Sequence, residues 1–210
     1  MGADPVEVGL VSNLNHPGGN VTGATFLAQP LVAKRLEMLH DAVPGAASIA
    51  YLVNPGSPAT QVVLREAENA ARRLGVRLAV LNAMTSSEVD AAFVALDTQG
   101  IGAICIDTDA FFTAHIPEIA ALATRHRVPA LFGFPNAVEV GGLMSYSADI
   151  NEAYYVAGSY AGRILKGEKP ADLPVQQVTK IELTINMNTA KALGITFPQG
   201  ILVRADRVIE

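Results

Sequence analysis

The sequence predicts an α/β fold with a mainly parallel sheet, built as one complete doubly wound lobe and one partial lobe. Apolar runs of strand length alternate with amphipathic segments of helix length along most of the 210 residues. Turn-forming residues separate these segments, and 50% of the residues are hydrophobic, which is enough for a packed core. This alternation implies right-handed crossovers between parallel strands.

The first elements are a strand, a helix and a second strand. Residues 21–26 are predicted as a short strand, and residues 31–43 carry apolar side chains at helical spacing. Residues 48–53 form a continuous apolar run, which is typical of a strand buried on both faces of a sheet. A helix follows, with Ser57 as its predicted N-cap and Gly75 at its end.

The same alternation continues to the C-terminus. The next predicted elements are strand 77–81, a helix to Leu96 capped by Ser86 or Ser87, strand 101–106, helix 116–126, strand 129–132 and strand 143–146. The last are helix 149–166, a half-buried or edge strand over 181–186, a short helix over 189–193 capped by Asn188, and a helix over 201–209. Residues 27–146 therefore contain the complete lobe.

The flanks of this lobe, residues 1–26 and 147–210, are predicted to form the partial lobe together. They carry apolar faces but too few strands for a sheet covered on both sides, so a further segment or a partner chain is expected to complete it. An open strand edge pairs readily with another chain, so self-association is expected. A monomer in light scattering at high concentration would count against this.

Composition and motifs argue against several classes of function. A net charge of -5 without a basic block argues against nucleic-acid binding. The four histidines are scattered, the single cysteine lies in an apolar run, and no glycine-rich phosphate loop occurs, so no metal, no cofactor and no catalysis are expected. The N-terminus has no export-signal pattern, and no apolar run is long enough to span a bilayer.

Polar and aromatic side chains follow the ends of several predicted strands. In open α/β sheets, ligands bind beyond the carboxyl ends of the strands. The candidate ligand-binding residues at these positions are Asn54, Ser57, Thr60, Asp107, Asp109, Phe112, Phe134 and Asp149. Their carboxylates, hydroxyls and aromatic rings suit a small molecule with an amino group and a flat apolar body.

Most of these candidates also have a purely structural interpretation. Ser57 is a good helix cap, and Asp107 and Asp109 are common turn residues after a strand. Phe112, like its neighbour, is a common core residue. Asp149 is placed to cap the helix that follows it, which does not exclude contact with a ligand.

Several stretches, taken in order along the chain, resemble one family of proteins. They are Asp4–Val6, Gly9–Val11, Pro17–Gly23, Ala33–Glu37, Ala137–Tyr146 and Gly162–Val175. Their order is similar to that in the ABC transporter substrate-binding family, which includes tryptophan-binding and other aromatic-amino-acid-binding lipoproteins. The stretches run from one end of the chain to the other.

The resemblance implies a type I periplasmic-binding-protein-like fold, in which crossing strands join two lobes and a ligand binds in the cleft between them. It implies hinge crossings near residues 24–28 and 145–149, and it places Asp149 where related receptors often hold the amino group of a ligand. Family members are longer at the N-terminus, so an export signal and the first strands and helices of the partial lobe are expected to be missing from this chain.

The resemblance further implies the solute-binding component of an ABC-type importer, with an amino acid or aromatic acid as ligand and a membrane permease as partner. The full-length form would be periplasmic or a membrane-anchored extracellular lipoprotein. Two alternatives stay open: a ligand-sensing regulatory domain on the same scaffold, and a small flavodoxin-like enzyme. A rise in melting temperature with amino or aromatic acids favours the receptor, whereas a rise with flavin or nucleotide would exclude it.

Overall fold

Helices pack against both faces of a seven-stranded sheet, and a two-stranded sheet forms in another part of the chain. This computed structural model describes residues 4–6, 8–26 and 29–210, without the side chains of residues 29 and 30. The larger unit of the chain contains residues 29–147 and 182–210. The smaller unit contains residues 1–28 and 148–181.

Strands and helices alternate along the described residues. The strands are β1 Ala24–Phe26, β2 Ser48–Val53, β3 Arg77–Asn82, β4 Ala103–Ile106, β5 Ala130–Phe132, β6 Met144–Ala148, β7 Gln176–Val178, β8 Ile181–Asn186 and β9 Arg207–Ile209. The helices are α1 Gln29–Ala42, α2 Thr60–Leu74, α3 Ser86–Gln99, α4 Ala110–Ala114, α5 Ile116–Arg125, α6 Asn136–Glu139, α7 Ile150–Leu165, α8 Met187–Leu193 and α9 Gln199–Arg204, with a 3-10 turn over Pro170–Asp172.

The sheet of the larger unit has the strand order β3-β2-β4-β5-β6-β8-β9. Strands β3, β2, β4, β5 and β6 pair in parallel. Strand β8 ends beside the start of β6, because the Asn186 N–H donates to the Leu143 carbonyl at 2.9 Å, so β8 runs against β6. The carboxyl ends of the five parallel strands therefore lie along one edge of the sheet.

The central strands are buried on both faces. All six residues of β2 and all four of β4 are buried, which agrees with their continuous apolar runs. Tyr51 and Cys105 belong to the core formed with α1 and α2. Leu52 and Ile104 belong to the core formed with α3 and α5. Because β2 and β4 pair in parallel, the loops that follow them lie next to each other.

The C-terminal segment is assigned differently from the prediction. The prediction places all of residues 147–210 in the partial lobe, but residues 182–210 belong to the larger unit. The reason is β8, which is predicted as a half-buried or edge strand and instead lies inside the seven-stranded sheet, between β6 and β9. The predicted crossing near 24–28 includes residues 27 and 28, which lie outside the described residues.

Among its described residues, the smaller unit contains a two-stranded sheet, one long helix and the 3-10 turn. Strands β1 and β7 pair in parallel. Val156 and Tyr160 of α7 pack with Leu173 to form a small core, and the Tyr160 hydroxyl donates to the Pro174 carbonyl at 2.7 Å. The outer face of α7 leaves large side chains exposed: Tyr154, Tyr155 and Leu165.

The predicted start of α2 is wrong. The N-cap position is Ala59, which makes no side-chain capping bond, and the helix begins at Thr60. The Ser57 N–H instead donates to the Asn54 carbonyl at 3.0 Å, so Ser57 belongs to the turn that leads from β2 to the helix. The residues that were predicted as the start of the helix therefore form a turn before it.

The predicted caps of α3 and α8 are each displaced by one or two residues. Thr85 caps α3: its hydroxyl accepts from the Glu88 N–H, and the Glu88 carboxylate accepts from the Thr85 N–H. This pair is a complete capping box, which neither predicted serine forms. Asn186 caps α8 by accepting from the Thr189 N–H at 2.9 Å, in place of the predicted Asn188.

The predicted helix over residues 201–209 is confirmed over residues 201–204 and wrong over the rest. Helix α9 ends at Arg204, and the chain continues into β9, which pairs in parallel with β8. Asp206 makes the transition, since its N–H donates to the Leu183 carbonyl at 2.9 Å and its carboxylate accepts from the Leu183 N–H at 2.8 Å. A neighbouring strand thus decides the conformation of this segment.

Candidate ligand-binding site

A side-chain hydrogen bond joins the loops that follow β2 and β4. Nδ2 of Asn54 donates to Oδ1 of Asp109 at 2.9 Å. Oδ1 of Asn54 accepts from the Gly56 N–H at 2.9 Å, and Oδ1 of Asp109 also accepts from the Phe111 N–H at 2.8 Å. Two predicted site residues are therefore in contact, because β2 and β4 are neighbours and their carboxyl ends meet at one edge.

Asp107, two residues before Asp109, is buried, with 3% of its surface exposed. The Tyr51 hydroxyl donates to its Oδ1 at 3.4 Å. Burial raises the pKa of the Asp107 carboxyl above its ordinary value, and the Thr108 backbone N–H and the Arg35 cation oppose that rise. Asp107 is therefore a carboxylate whose charge depends on a small number of neighbouring groups.

Thr60 and Ser57 shape the loop after β2. Thr60 is buried, and its hydroxyl donates to the Asn54 carbonyl at 2.5 Å. Ser57 is half-buried and makes the turn described above. Both residues donate to the Asn54 carbonyl, Ser57 from its backbone N–H and Thr60 from its hydroxyl, and so help to fix the position of Asn54. Their direct contact with a ligand stays a prediction.

The aromatic surface at this edge differs from the prediction at one residue. Phe112 is completely buried in the core under α4 and α5, so its ring is not available at the edge. Its neighbour Phe111 is half-buried, as is Phe134 after β5. The ring of Phe111 lies 4.3 Å from that of His115, centroid to centroid. Phe111 and Phe134 are thus the phenylalanines that present part of their rings near Asp109 and the end of β5.

Asp149 belongs to the smaller unit and caps α7. Its side chain accepts from the Asn151 N–H at 2.9 Å and pairs with Nζ of Lys180 at 3.0 Å. The hydrogen bond from Lys180 is the main cause that lowers the pKa of Asp149. The predicted cap is present, and the ligand role of Asp149 stays a prediction.

Arg35 and Tyr51 are the residues near Asp107 that the sequence analysis did not single out. Arg35 is 1% exposed and Tyr51 is completely buried. Both interrupt apolar patterns: Arg35 lies beside Leu36 in the buried stripe of α1, and Tyr51 lies within the apolar part of strand β2. A polar group at a core position of a helix or strand was the available signal.

This edge combines carboxylates, an amide and partly exposed aromatic rings, a set that suits an ammonium group and a flat apolar body. Among the described residues no group of three His, Cys, Asp or Glu side chains is arranged to hold a metal ion. A cavity of about 350 Å³ is lined by residues of α8, α9 and the loop that joins them. It adjoins Met187, directly after β8, and so lies at the opposite edge of the sheet from Asp107.

The comparisons with known proteins identify relatives along the whole chain. A family model described as ABC transporter substrate binding protein matches residues 1–209. The tyrosine-binding protein of Clostridioides difficile (strain R20291) is 29% identical over 192 residues, which is 91% of this chain and 55% of that protein. The chain therefore spans about half the length of this curated relative.

Two solved structures have closely similar folds. A conserved domain protein from Vibrio cholerae O1 biovar El Tor (strain N16961) superposes with a TM-score of 0.84 at 29% identity, covering 98% of this chain and 68% of that one. The ABC domain in complex with L-Trp from Streptococcus pneumonia also has a TM-score of 0.84, at 27% identity, with coverage of 99% and 71%. These similarities confirm the predicted type I periplasmic-binding-protein-like α/β class. In the part of the chain that the structure describes, the helices are too short or too polar to cross a membrane.

Proposed function

Because the chain belongs to the ABC transporter substrate-binding protein family, we propose that it binds an amino acid with an aromatic side chain. The proposed site is the carboxyl edge of β2, β4 and β5. One observation carries the proposal: a hydrogen bond joins Asn54 and Asp109 in the loops after the neighbouring strands β2 and β4, and Asp107, a buried carboxylate, lies in the same loop as Asp109. The names of two relatives, one tyrosine-binding and one in complex with L-Trp, support the ligand class.

The chemistry of each group assigns its proposed role. An amino acid carries an ammonium group at neutral pH, and Asp107 and Asp109 supply carboxylate acceptors for it. A hydrogen bond between charged groups is about twice as strong as one between neutral groups, so these contacts are expected to orient the ligand. Phe111 and Phe134 supply ring faces and edges for an aromatic side chain. Asn54 and Thr60 hold the loop that carries these contacts.

We further propose that the full-length protein carries its ligand to the permease of an ABC importer, outside the cytoplasmic membrane. The description of the matching family supports a role in ABC transport, and the relatives are substrate-binding proteins rather than enzymes. The transported solute, the permease and the location are proposals for the whole protein.

The absence of tryptophan from this chain makes a direct binding test available. L-Trp can be excited at wavelengths where tyrosine absorbs weakly, so a change in ligand emission reports binding without a protein background. We expect saturable binding of L-Trp or, by competition, of L-Tyr, and no binding of the N-acetylated amino acids, which lack the ammonium group.

Asp107→Asn is the test variant and Asp97→Asn is its matched control. Asp107→Asn is expected to weaken binding by about tenfold or more, because a hydrogen bond to a charged group contributes about 1.5–3 kcal/mol. Asp97 lies near the end of α3 and pairs with His126, directly after α5, away from the carboxyl edge, so Asp97→Asn should bind like the wild type. A melting temperature that rises with flavin or nucleotide but with no amino acid would overturn the proposed function.

A further inference from the structure

The outer face of α7 carries large apolar side chains that the rest of the described chain leaves uncovered. Leu165 is 88% exposed and Tyr155 is 79% exposed, and no other large hydrophobic side chain among the described residues is as exposed as these two. Tyr154 is 66% exposed. The small core of this unit takes a different side of the helix, through Val156 and Tyr160. Apolar side chains on two sides of one helix indicate a second packing surface.

The spacing along this outer face is that of a seam at which helices pair. Its members follow one another at intervals of four, three and four residues and form the α7 seam: Tyr154, Gly158, Ala161 and Leu165. These intervals keep them on one side of the helix and match the a and d positions of a coiled coil. Gly158 and Ala161 are also exposed, and a Cβ atom at position 158 would meet no atom within 4 Å. A second helix therefore has room to approach the middle of the seam.

The α7 seam is made of uncharged residues. The charged residues of α7 are Glu152 and Arg163, and both lie on other sides of the helix. Arg163 pairs with Glu168 at 2.6 Å, and Glu152 is half-buried. When two identical copies meet through this face, no like charges from the seam oppose each other, so the usual electrostatic cost of such a contact is absent.

The order of side-chain sizes is symmetric along the α7 seam, with a large residue at each end and two small residues in the middle. In an antiparallel pair of α7 helices, a two-fold axis between Gly158 and Ala161 places Gly158 opposite Ala161 of the second copy. The same axis places Tyr154 opposite Leu165 of the second copy. Crossing helices are closest at the axis, where the small residues lie, and diverge toward the large ones. The seam is therefore complementary to itself, as a two-fold dimer requires.

We propose that the α7 seam is the surface through which two copies of this chain pair, with their α7 helices antiparallel. Each copy contributes Leu165, Tyr154 and the flanking Tyr155, and a tyrosine side chain buries about 150–250 Å² when it is covered. Two copies together then bury on the order of 1,000 Å², at the lower end of the range for specific interfaces. Such a dimer forms at high protein concentration and dissociates on dilution. It differs from pairing through an open strand edge, in which α7 takes no part.

Sedimentation equilibrium over a series of protein concentrations tests the surface. The average mass of the wild type should rise from that of one chain toward that of two. Leu165→Glu should weaken dimerisation at least about tenfold, because the two-fold symmetry places the new charge in the interface twice. Val203→Glu is the matched control: Val203 is 74% exposed on α9 of the larger unit, so the variant adds the same charge and should dimerise like the wild type.

Disulfide cross-linking tests the antiparallel arrangement. Cys105, the single cysteine, is buried, so the wild type should not cross-link. Under mild oxidation, a mixture of Gly158→Cys and Ala161→Cys chains should give more covalent dimer than either variant alone. Ser159→Cys is the control, because Ser159 is exposed but lies outside the α7 seam, and it should give little covalent dimer.

Three results would overturn the proposal. The first is a wild type that stays monomeric at high concentration. The second is a dimer that Leu165→Glu leaves unchanged, because another surface, such as an open strand edge, would then hold the copies together. The third is a Gly158→Cys variant that cross-links to itself in preference to Ala161→Cys, since the two helices would then be parallel.

Discussion

Replacing Gly133 with alanine should destabilise the larger unit, because the added methyl carbon has no room. It would overlap Cγ2 of Thr108 and lie 3.2 Å from Cζ of Arg35. Carbon atoms in good contact are about 3.5–4.0 Å apart, so both neighbours would have to move. Gly133 directly follows β5 and is buried, and overpacking of such a position costs about 1–3 kcal/mol.

Urea unfolding followed by far-ultraviolet circular dichroism measures this cost. With a slope of about 2 kcal/mol/M, a loss of about 1–3 kcal/mol lowers the unfolding midpoint by about 0.5–1.5 M. Thr108→Ser removes the overlapping methyl group, so Gly133→Ala should cost less in that background than in the wild type. The double-mutant cycle thus attributes the cost to one pair of atoms.

Gly158→Ala is the matched control, because the same substitution has the opposite expected sign there. Gly158 lies in the middle of α7, and a Cβ atom at that position meets no other atom within 4 Å. Alanine in a helix interior is favoured over glycine by about 0.8–1.0 kcal/mol, so this variant should be more stable than the wild type. The reasoning is refuted if Gly133→Ala is as stable as the wild type, or if Thr108→Ser gives no relief.

Two further predictions concern Asp149 and Cys105. Asp149→Ala should lower the free energy of unfolding by about 1 kcal/mol through loss of the α7 cap, whereas Asp149→Asn should keep the cap. The bond from Lys180 lowers the pKa of Asp149, so the charged carboxylate stabilises the fold above its unfolded-state pKa, and this stabilisation is lost as the pH falls through its folded-state pKa. In urea melts, Asp149→Asn should therefore lose less free energy of unfolding, relative to the wild type, in acid than at neutral pH. Cys105 is 0% exposed, and burial raises the pKa of its thiol to about 12. Iodoacetamide should therefore label it only as the protein unfolds, which mass spectrometry would detect. Rapid labelling of the folded protein would contradict the buried position.

Some elements were predictable because their signals are local. The predicted strands over 48–53 and 181–186 have the bounds of β2 and β8, since each is an apolar or alternating run between turn-forming residues. The cap of α3 was predicted wrongly although its signal is also local. Thr85 stands directly before two serines with similar capping ability, but Glu88 follows Thr85 by three residues, which is the spacing of a capping box.

The candidate site shows the same division. Asn54 and Asp109 were selected as residues that follow buried strands, and the structure brings their side chains into contact. Phe112 was selected over Phe111, but adjacent residues of a helix point in directions about 100° apart, so the packing of α4 decides which ring is buried. Arg35 was missed because its long side chain reaches from α1 to Gly133, after β5, and to the Tyr146 carbonyl in β6, both far away in sequence.

By itself the sequence determined the α/β class, the family resemblance and the lack of a recognisable catalytic or metal-binding motif, because these depend on composition, local periodicity and short motifs. Only the tertiary structure decided that residues 182–210 complete the seven-stranded sheet, that Phe111 rather than Phe112 remains partly exposed, and that a buried arginine of α1 bonds to the Tyr146 carbonyl of β6. Strand pairing, helix rotation and the desolvation of charges each depend on atoms from several distant segments, and no local pattern contains that information.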